Sequence, residues 1–145
     1  MLKFVCLALA VAVVSAGLPY KDCANKEVTN VEITGCTTSP CTLHKNQKIT
    51  ITIDYVGNQD TSKADWDLVA KVGELEFDLA ALIPGFDKDG CHSQKCPVKK
   101  GDKVTFKYDI TIPGATPEIE AEVKAVLKGE KGDLFCGTVR GNIKE

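Results

Sequence analysis

Two histidines, one tryptophan and one methionine are all that this 145-residue chain has of those types. No Ser-His-Asp set assembles from so few imidazoles: His44 stands before the turn at Asn46 and His92 between two cysteines, and each reads as an exposed polar residue. The chain has no glycine-rich phosphate loop and no N-x-[ST] glycosylation site. Asp78, Asp87 and Asp89 do not complete the frame of a calcium loop. Basic charge in excess is missing too: 18 lysines and arginines face 20 acidic residues, a formal net charge of -2, so nothing draws the chain to nucleic acid. Asp65, Asp67, Glu120 and Glu122 fall on polar faces, which is solubility patterning. An enzyme is the class the residues support least, and no cofactor is called for.

Long hydrophobic runs are also absent. The longest, Phe4 to Val14, is too short to span a bilayer and is followed by Gly17-Leu18-Pro19, which argues against a membrane anchor. With Lys3 before it and Val14-Ser15-Ala16 after it, residues 1–16 read as an export signal, leaving residues 17–145 as one secreted, extracellular domain.

Cysteine, in contrast, is plentiful. Seven are present, and losing Cys6 with the leader leaves an even six in an environment where disulfides persist. Cys36/Cys41 and Cys91/Cys96 each enclose four residues with turn formers, which favours two local staples; Cys23 and Cys136 then have only each other. Zinc at Cys91, His92 and Cys96 is the competing reading, weakened by the C-x4-C spacing.

The rest of the chain alternates with period two. Ile49, Ile51, Ile53 and Tyr55 form one apolar face, Trp66, Leu68, Ala70 and Val72 a second, and Leu75, Phe77 and Leu79 a third. Val104, Phe106, Tyr108, Ile110 and Ile112 follow, and then Ile119, Ala121, Val123, Ala125 and Leu127, where the period outweighs the helix-forming Glu, Ala and Lys. A last strand, Leu134 to Arg140, is expected to be tied through Cys136 to the first, around Val28 to Ile33. About seven strands predict an all-β fold, a two-sheet antiparallel β-sandwich. The connection from Leu79 to Phe86 is apolar where loops are normally polar, which suits either a plug in the core or the rim of a pocket between the sheets. Lys95 to Lys103 reads as a solvated turn or as a docking patch beside a ligand mouth or for an anionic membrane.

Several segments carry a resemblance: K-D-C-A-N-K-E-V from Lys21, G-C-T-T-S-P-C-T-L-H-K from Gly35, I-P-G-F-D-K-D-G-C-H-S-Q-K-C-P-V-K-K-G from Ile83, I-P-G-A-T-P from Ile112 and G-D-L-F-C-G from Gly132. Together with the cysteine spacing they resemble the group 2 mite allergens of the MD-2-related lipid-recognition (ML) family, whose relatives include the Niemann-Pick type C2 sterol carriers. The resemblance implies the pairing Cys23–Cys136, Cys36–Cys41 and Cys91–Cys96, and an immunoglobulin-like sandwich whose sheets enclose an apolar cavity for a fatty acid, sterol or other lipid. It also implies host IgE as a partner; a membrane or receptor contact near the cavity mouth is a further expectation, beside the lysine-rich stretch.

Carried over by position, the resemblance puts Ile83 and Ile112 at the rim. Thr116 stands where the sterol carriers have an aromatic lid, which points to a looser pocket for acyl chains. Phe86 stands where an aliphatic residue is usual, so its ring shortens the space. The remaining lining candidates are Ile53, Trp66, Leu68, Phe77 and Phe106, with Tyr108, Ile110, Val123, Leu127 and Phe135. Lys95, Lys99, Lys100 and Tyr108 are candidates for orienting a headgroup. The alternative is a solid-core secreted domain, in innate immunity or protein interaction, that acts through its surface.

Overall fold

The computed structural model describes residues 17–145, so the export signal read at residues 1–16 lies outside the described residues. Nine strands form: β1 (Lys21–Asp22), β2 (Val28–Ile33), β3 (Cys41–His44), β4 (Lys48–Val56), β5 (Asp65–Val72), β6 (Leu75–Asp78), β7 (Lys103–Thr111), β8 (Glu120–Gly129) and β9 (Gly132–Lys144). One sheet runs β1-β9-β8-β5-β6, with β3 also on β9, and the other runs β2-β4-β7. β-Branched residues alternating with polar ones suit a half-buried strand. In β4 this buries Ile49, Ile51, Ile53 and Tyr55 toward the opposite sheet. The segment rich in Glu, Ala and Lys is strand β8, because pairing on both edges, with β5 and with β9, outweighs its helix propensity.

Four details depart from the sequence reading. β3 pairs with β9 in parallel, whereas every other strand pair is antiparallel. The apolar connection after β6 opens with one helical turn, α1 (Leu79–Leu82), capped by the Asp78 side chain accepting from the Ala80 N–H. The last strand is longer than expected, reaching Lys144. Cys136 joins Cys23, just past β1 in its own sheet, and not the β2 region, which belongs to the other sheet. A two-residue strand is too short to show a period, which is why β1 escapes a reading by alternation.

The two halves of the interior differ. Tyr55, Trp66, Phe106, Leu127, Leu134 and Phe135 are at most 1% exposed and pack ring on ring, with Tyr55 and Phe135 centroids 5.0 Å apart and Trp66 and Phe106 4.7 Å apart. Tyr55 donates to Gln94 Oε1 at 2.7 Å, and burial pushes its phenol up to about 12. Toward the other end of β4 and β7, where Ile49 pairs with Ile110, the facing positions hold only aliphatic and small side chains, among them Ala70, Ala121, Gly137 and Gly141.

The segment after α1 closes one flank. Gly90 donates to Ala64 O at 2.6 Å and Lys88 O accepts from the Trp66 N–H at 2.8 Å. A Cβ on Gly90 would sit 2.6 Å from Leu127 Cδ1 and 2.8 Å from Ala64 O, so only glycine lets the segment lie this close to the sheet.

Three disulfides fasten the chain: Cys36–Cys41 between β2 and β3, Cys91–Cys96 in the flanking segment, and Cys23–Cys136 across a separation of 113 residues. In the chain-entropy model the last limits the unfolded state most, by about 5 kcal/mol. The paired replacement Cys23→Ala/Cys136→Ala is expected to lower unfolding free energy by about 2–5 kcal/mol in urea melts, while Cys36→Ala/Cys41→Ala costs less.

Candidate functional site

Small residues facing aliphatic ones across a sheet spacing of about 10 Å cannot fill the gap between them. The result is a cavity of about 430 Å³. Its walls are Ile49, Ile51 and Ile53 from β4, Trp66, Leu68 and Ala70 from β5, Ile110 from β7, Ala121, Val123 and Ala125 from β8, and Phe135, Gly137, Val139, Gly141 and Ile143 from β9. Leu79, Leu82 and Ile83 close one side, and Ile112, Pro113, Ala115, Thr116 and Pro117 another. None of the lining residues carries a charged side chain. Leu82, Ala115 and Pro117 line the space and are also exposed, Leu82 by 61%, so the cavity opens between α1 and the β7–β8 loop.

Of the residues singled out from the sequence, Ile53, Trp66, Leu68, Ile83, Ile110, Ile112, Val123 and Phe135 lie on this wall. Phe86, Phe106, Tyr108 and Leu127 do not; they belong to the filled aromatic end or its flank, where Phe86 stacks on Trp66 at 6.0 Å and meets Tyr108 at 5.2 Å. Strand parity shows which side a residue faces but not which stretch of the interior it reaches. Phe77 requires a correction of another kind. It pairs with Ala70 and shares its face, yet β6 is the edge of the larger sheet and Phe77 is 40% exposed, together with Leu75 at 65%. Inward parity gives no cover where the second sheet is narrower.

The positions not singled out are as informative. Ala70, Ala121, Ala125, Gly137 and Gly141 make the void by being small, and their signal in the sequence was their inward parity combined with low volume. Leu43 and Ile143 reach the wall through the parallel pairing of β3 with β9.

Lys99 and Lys100, two of the lysines considered for a headgroup, lie far from the opening: they precede β7, while the rim residues Ile112 to Pro117 follow it, and nine residues of strand separate the two by roughly 26 Å. Lys95 belongs to the flanking segment, which lies alongside β7 through the Lys107 N–H bond to Ser93 O at 3.0 Å. Tyr108 accepts from the Asp87 N–H at 2.7 Å. At the cysteine pair first weighed as a zinc site, Cys91 and Cys96 are bonded to each other, and His92 contacts Asp87 Oδ2 at 2.7 Å and Asp89 Oδ2 at 3.3 Å.

Comparison with known proteins follows the geometry. A family model described as "ML domain" matches residues 17–143. The chain is 43% identical over 145 residues to the mite group 2 allergen Lep d 2 of Lepidoglyphus destructor, covering 99% of this chain and 100% of that one. It is 37% identical to Tyr p 2 of Tyrophagus putrescentiae, covering 99% of each. Among solved structures, a Niemann-Pick type C2 protein from the Japanese carpenter ant superposes with a TM-score of 0.77 at 18% identity, covering 87% of this chain and 99% of that one. Chicken MD-1 complexed with lipid IVa superposes with a TM-score of 0.55 at 19% identity, covering 85% and 87%.

His92 provides a check on the flanking segment. Its hydrogen bond to Asp87, with the charges of Asp87 and Asp89, raises its pKa above 6.5, and the same bond lowers that of Asp87 below 3.8. The histidine's contribution is complete below 6.5 and is lost as pH rises through the raised value; the aspartate's is complete above 3.8 and is lost as pH falls through the lowered one. The pair therefore fastens the segment most firmly between those limits. An NMR titration is expected to place His92 above 6.5, and Asp87→Asn to bring it down.

Proposed function

The chain belongs to the ML-domain family and, within it, to the group 2 mite allergens, and from that premise we propose that it is a secreted carrier of a fatty acid, sterol or similar lipid. The observation that carries the proposal is the cavity: about 430 Å³, uncharged along its whole lining and reaching solvent beside α1 and the β7–β8 loop. Its size falls within the range of about 300–1,000 Å³ usual for small-molecule sites. The secretory leader read at residues 1–16 and the three disulfides support export. MD-1, whose structure is of a complex with lipid IVa, has the same general architecture, which supports a lipid as the occupant. The relatives' names as allergens support recognition of the folded surface by host IgE.

Carriage needs no chemical step. Each methylene moved from water to an apolar wall gains about 0.8 kcal/mol, so about ten methylenes supply about 8 kcal/mol, a micromolar scale before the costs of association. The exposed Leu75 and Phe77 lie on β6, the strand that leads directly into α1 and the opening. That continuity between an exposed apolar patch and the mouth suits contact with a lipid surface during loading. Glu74, Glu76 and Asp78 alternate with the patch and favour an uncharged surface over an anionic one.

Native mass spectrometry of the secreted, disulfide-intact protein is expected to show a lipid adduct that organic extraction removes. A clean unliganded mass that fails to take up added fatty acid or sterol overturns the reading. Ile83→Asp puts a carboxylate at the rim and is expected to weaken uptake at least about tenfold in a fold that stays intact by circular dichroism. The pair Leu75→Ser/Phe77→Ser lies off the cavity wall; it is expected to slow transfer to neutral vesicles several-fold while leaving equilibrium uptake of a soluble lipid unchanged.

A further inference from the structure

The cross-strand register sorts the inward residues of the larger sheet into transverse rows. Trp66 pairs with Leu127 and Leu127 with Phe135, so three large side chains stand abreast. The next row is Leu68, Ala125 and Gly137, the one after it Ala70, Val123 and Val139, and then Ala121 with Gly141. Trp66 and Phe135 line the cavity while Leu127 between them does not, whereas every member of the later rows does. From the facing sheet Phe106 closes the gap, its ring 4.7 Å from that of Trp66 and 6.1 Å from that of Phe135. On β4 the lining likewise stops at Ile53, which pairs with Phe106, and Tyr55 beyond it is off the wall. Side-chain size therefore falls abruptly past the first row, and that row is the floor of the cavity.

The floor is firmly held. Phe135 lies on β9, which pairs with β8 along its length, and its neighbour Cys136 is bonded to Cys23 and accepts from the Cys23 N–H at 2.9 Å. Tyr55 packs against the Phe135 ring at 5.0 Å. From Gly137, the first small position above the floor, to Ile143 is six residues of β9, roughly 20 Å. A saturated chain advances roughly 1.3 Å per carbon, since its bonds of about 1.5 Å zigzag, so that length takes about 16 carbons. Volume agrees: at roughly 30 Å³ for each methylene, about the share of a water molecule in the liquid, the cavity of about 430 Å³ holds about 14. Length and volume coincide only if one chain lies in the space, not two side by side.

We propose that the row of Trp66, Leu127 and Phe135 is a ruler: the carrier takes single-chain lipids methyl end first, and the row sets the longest chain that is fully covered, about 14–16 carbons. This rests on the carrier reading and adds to it the residues that decide chain length. The methyl end goes inward because no lining side chain carries a charge to meet a headgroup, whereas the mouth beside α1 and the β7–β8 loop reaches water. Up to the limit each added methylene leaves water; beyond it, further carbons stay at the mouth. Rows lie two residues apart, roughly 6.6 Å, so raising the floor by one row shortens the ruler by about five carbons.

Gly137 gives a way to raise the floor. A Cβ there would meet nothing nearer than Lys21 O at 3.8 Å, so Gly137→Leu fits the backbone and fills the void just above the first row. In the wild type, binding of saturated fatty acids from octanoate to docosanoate is expected to tighten by up to about fourfold per methylene and to level off at about 16 carbons. In Gly137→Leu the plateau is expected at about 11 carbons, with decanoate held within about twofold of wild type. Trp66 is the one tryptophan of the chain and stands in the floor. Its emission is therefore expected to be quenched by 16-bromohexadecanoate and left unchanged by 2-bromohexadecanoate. Wild-type affinity that climbs without a plateau, or a variant that leaves the plateau unmoved or weakens every length equally, overturns the ruler and leaves the carrier intact. Equal quenching by the two bromides overturns insertion by the methyl end. Should the variant not fold, the wild-type plateau and the quenching decide. Binding of a sterol but of no fatty acid overturns the ruler alone; binding of neither overturns the carrier reading itself.

Discussion

Two β-sheets packed face to face stand about 10 Å apart, and everything distinctive in this molecule follows from how that gap is filled. At one end, rings fill it: Tyr55, Trp66, Phe106 and Phe135 meet tilted or edge-on with almost no exposed surface. At the other end the inward positions fall to isoleucine, valine, alanine and glycine, whose summed volume is too small, and the gap remains as a cavity. The aromatic end supplies the packing that a hollow domain would otherwise lack. A void forfeits dispersion contacts along its lining, so stability must come from elsewhere.

The disulfides and the flanking segment supply part of that support. Cys23–Cys136 fastens the two-residue β1 to β9, a pairing too short to persist by hydrogen bonds alone. Gly90 lets the flanking segment press against Ala64 and Leu127, and the contacts of His92 with Asp87 and Asp89 fix its exposed turn. The same segment carries Phe86 over Trp66 beside the boundary of the void, whereas the two broad faces of the cavity are made by hydrogen-bonded strands. Charge is kept off the cavity lining. The lysines near β7's start lie at the end opposite the opening, and the patch beside the opening is apolar with acidic neighbours.

The strands were legible because alternation is a local property: Ile49 to Tyr55 and Val104 to Ile112 declare their inward faces residue by residue. So was the six-cysteine framework, since two pairs are close in sequence and leave one remaining pair. β1 was not legible, being too short to show a period, and neither was the parallel pairing of β3 with β9, which depends on where the chain goes after the Cys36–Cys41 turn. Phe77 shows the limit of parity most directly. It faces inward in the sense that Ala70 does, but the second sheet does not extend that far.

By itself, the sequence determined a β-sandwich, its inward-facing residues, and its likeness to lipid-recognition proteins, because each of these is written in spacing and side-chain type along the chain. Only the tertiary structure decided that Phe106 and Leu127 fill the interior while Ile49, Ala70 and Val139 border a void, and that Trp66 stands between the two. A cavity is the difference between the volume enclosed by two sheets and the volume of side chains arriving from distant strands, and no single stretch of chain contains that difference.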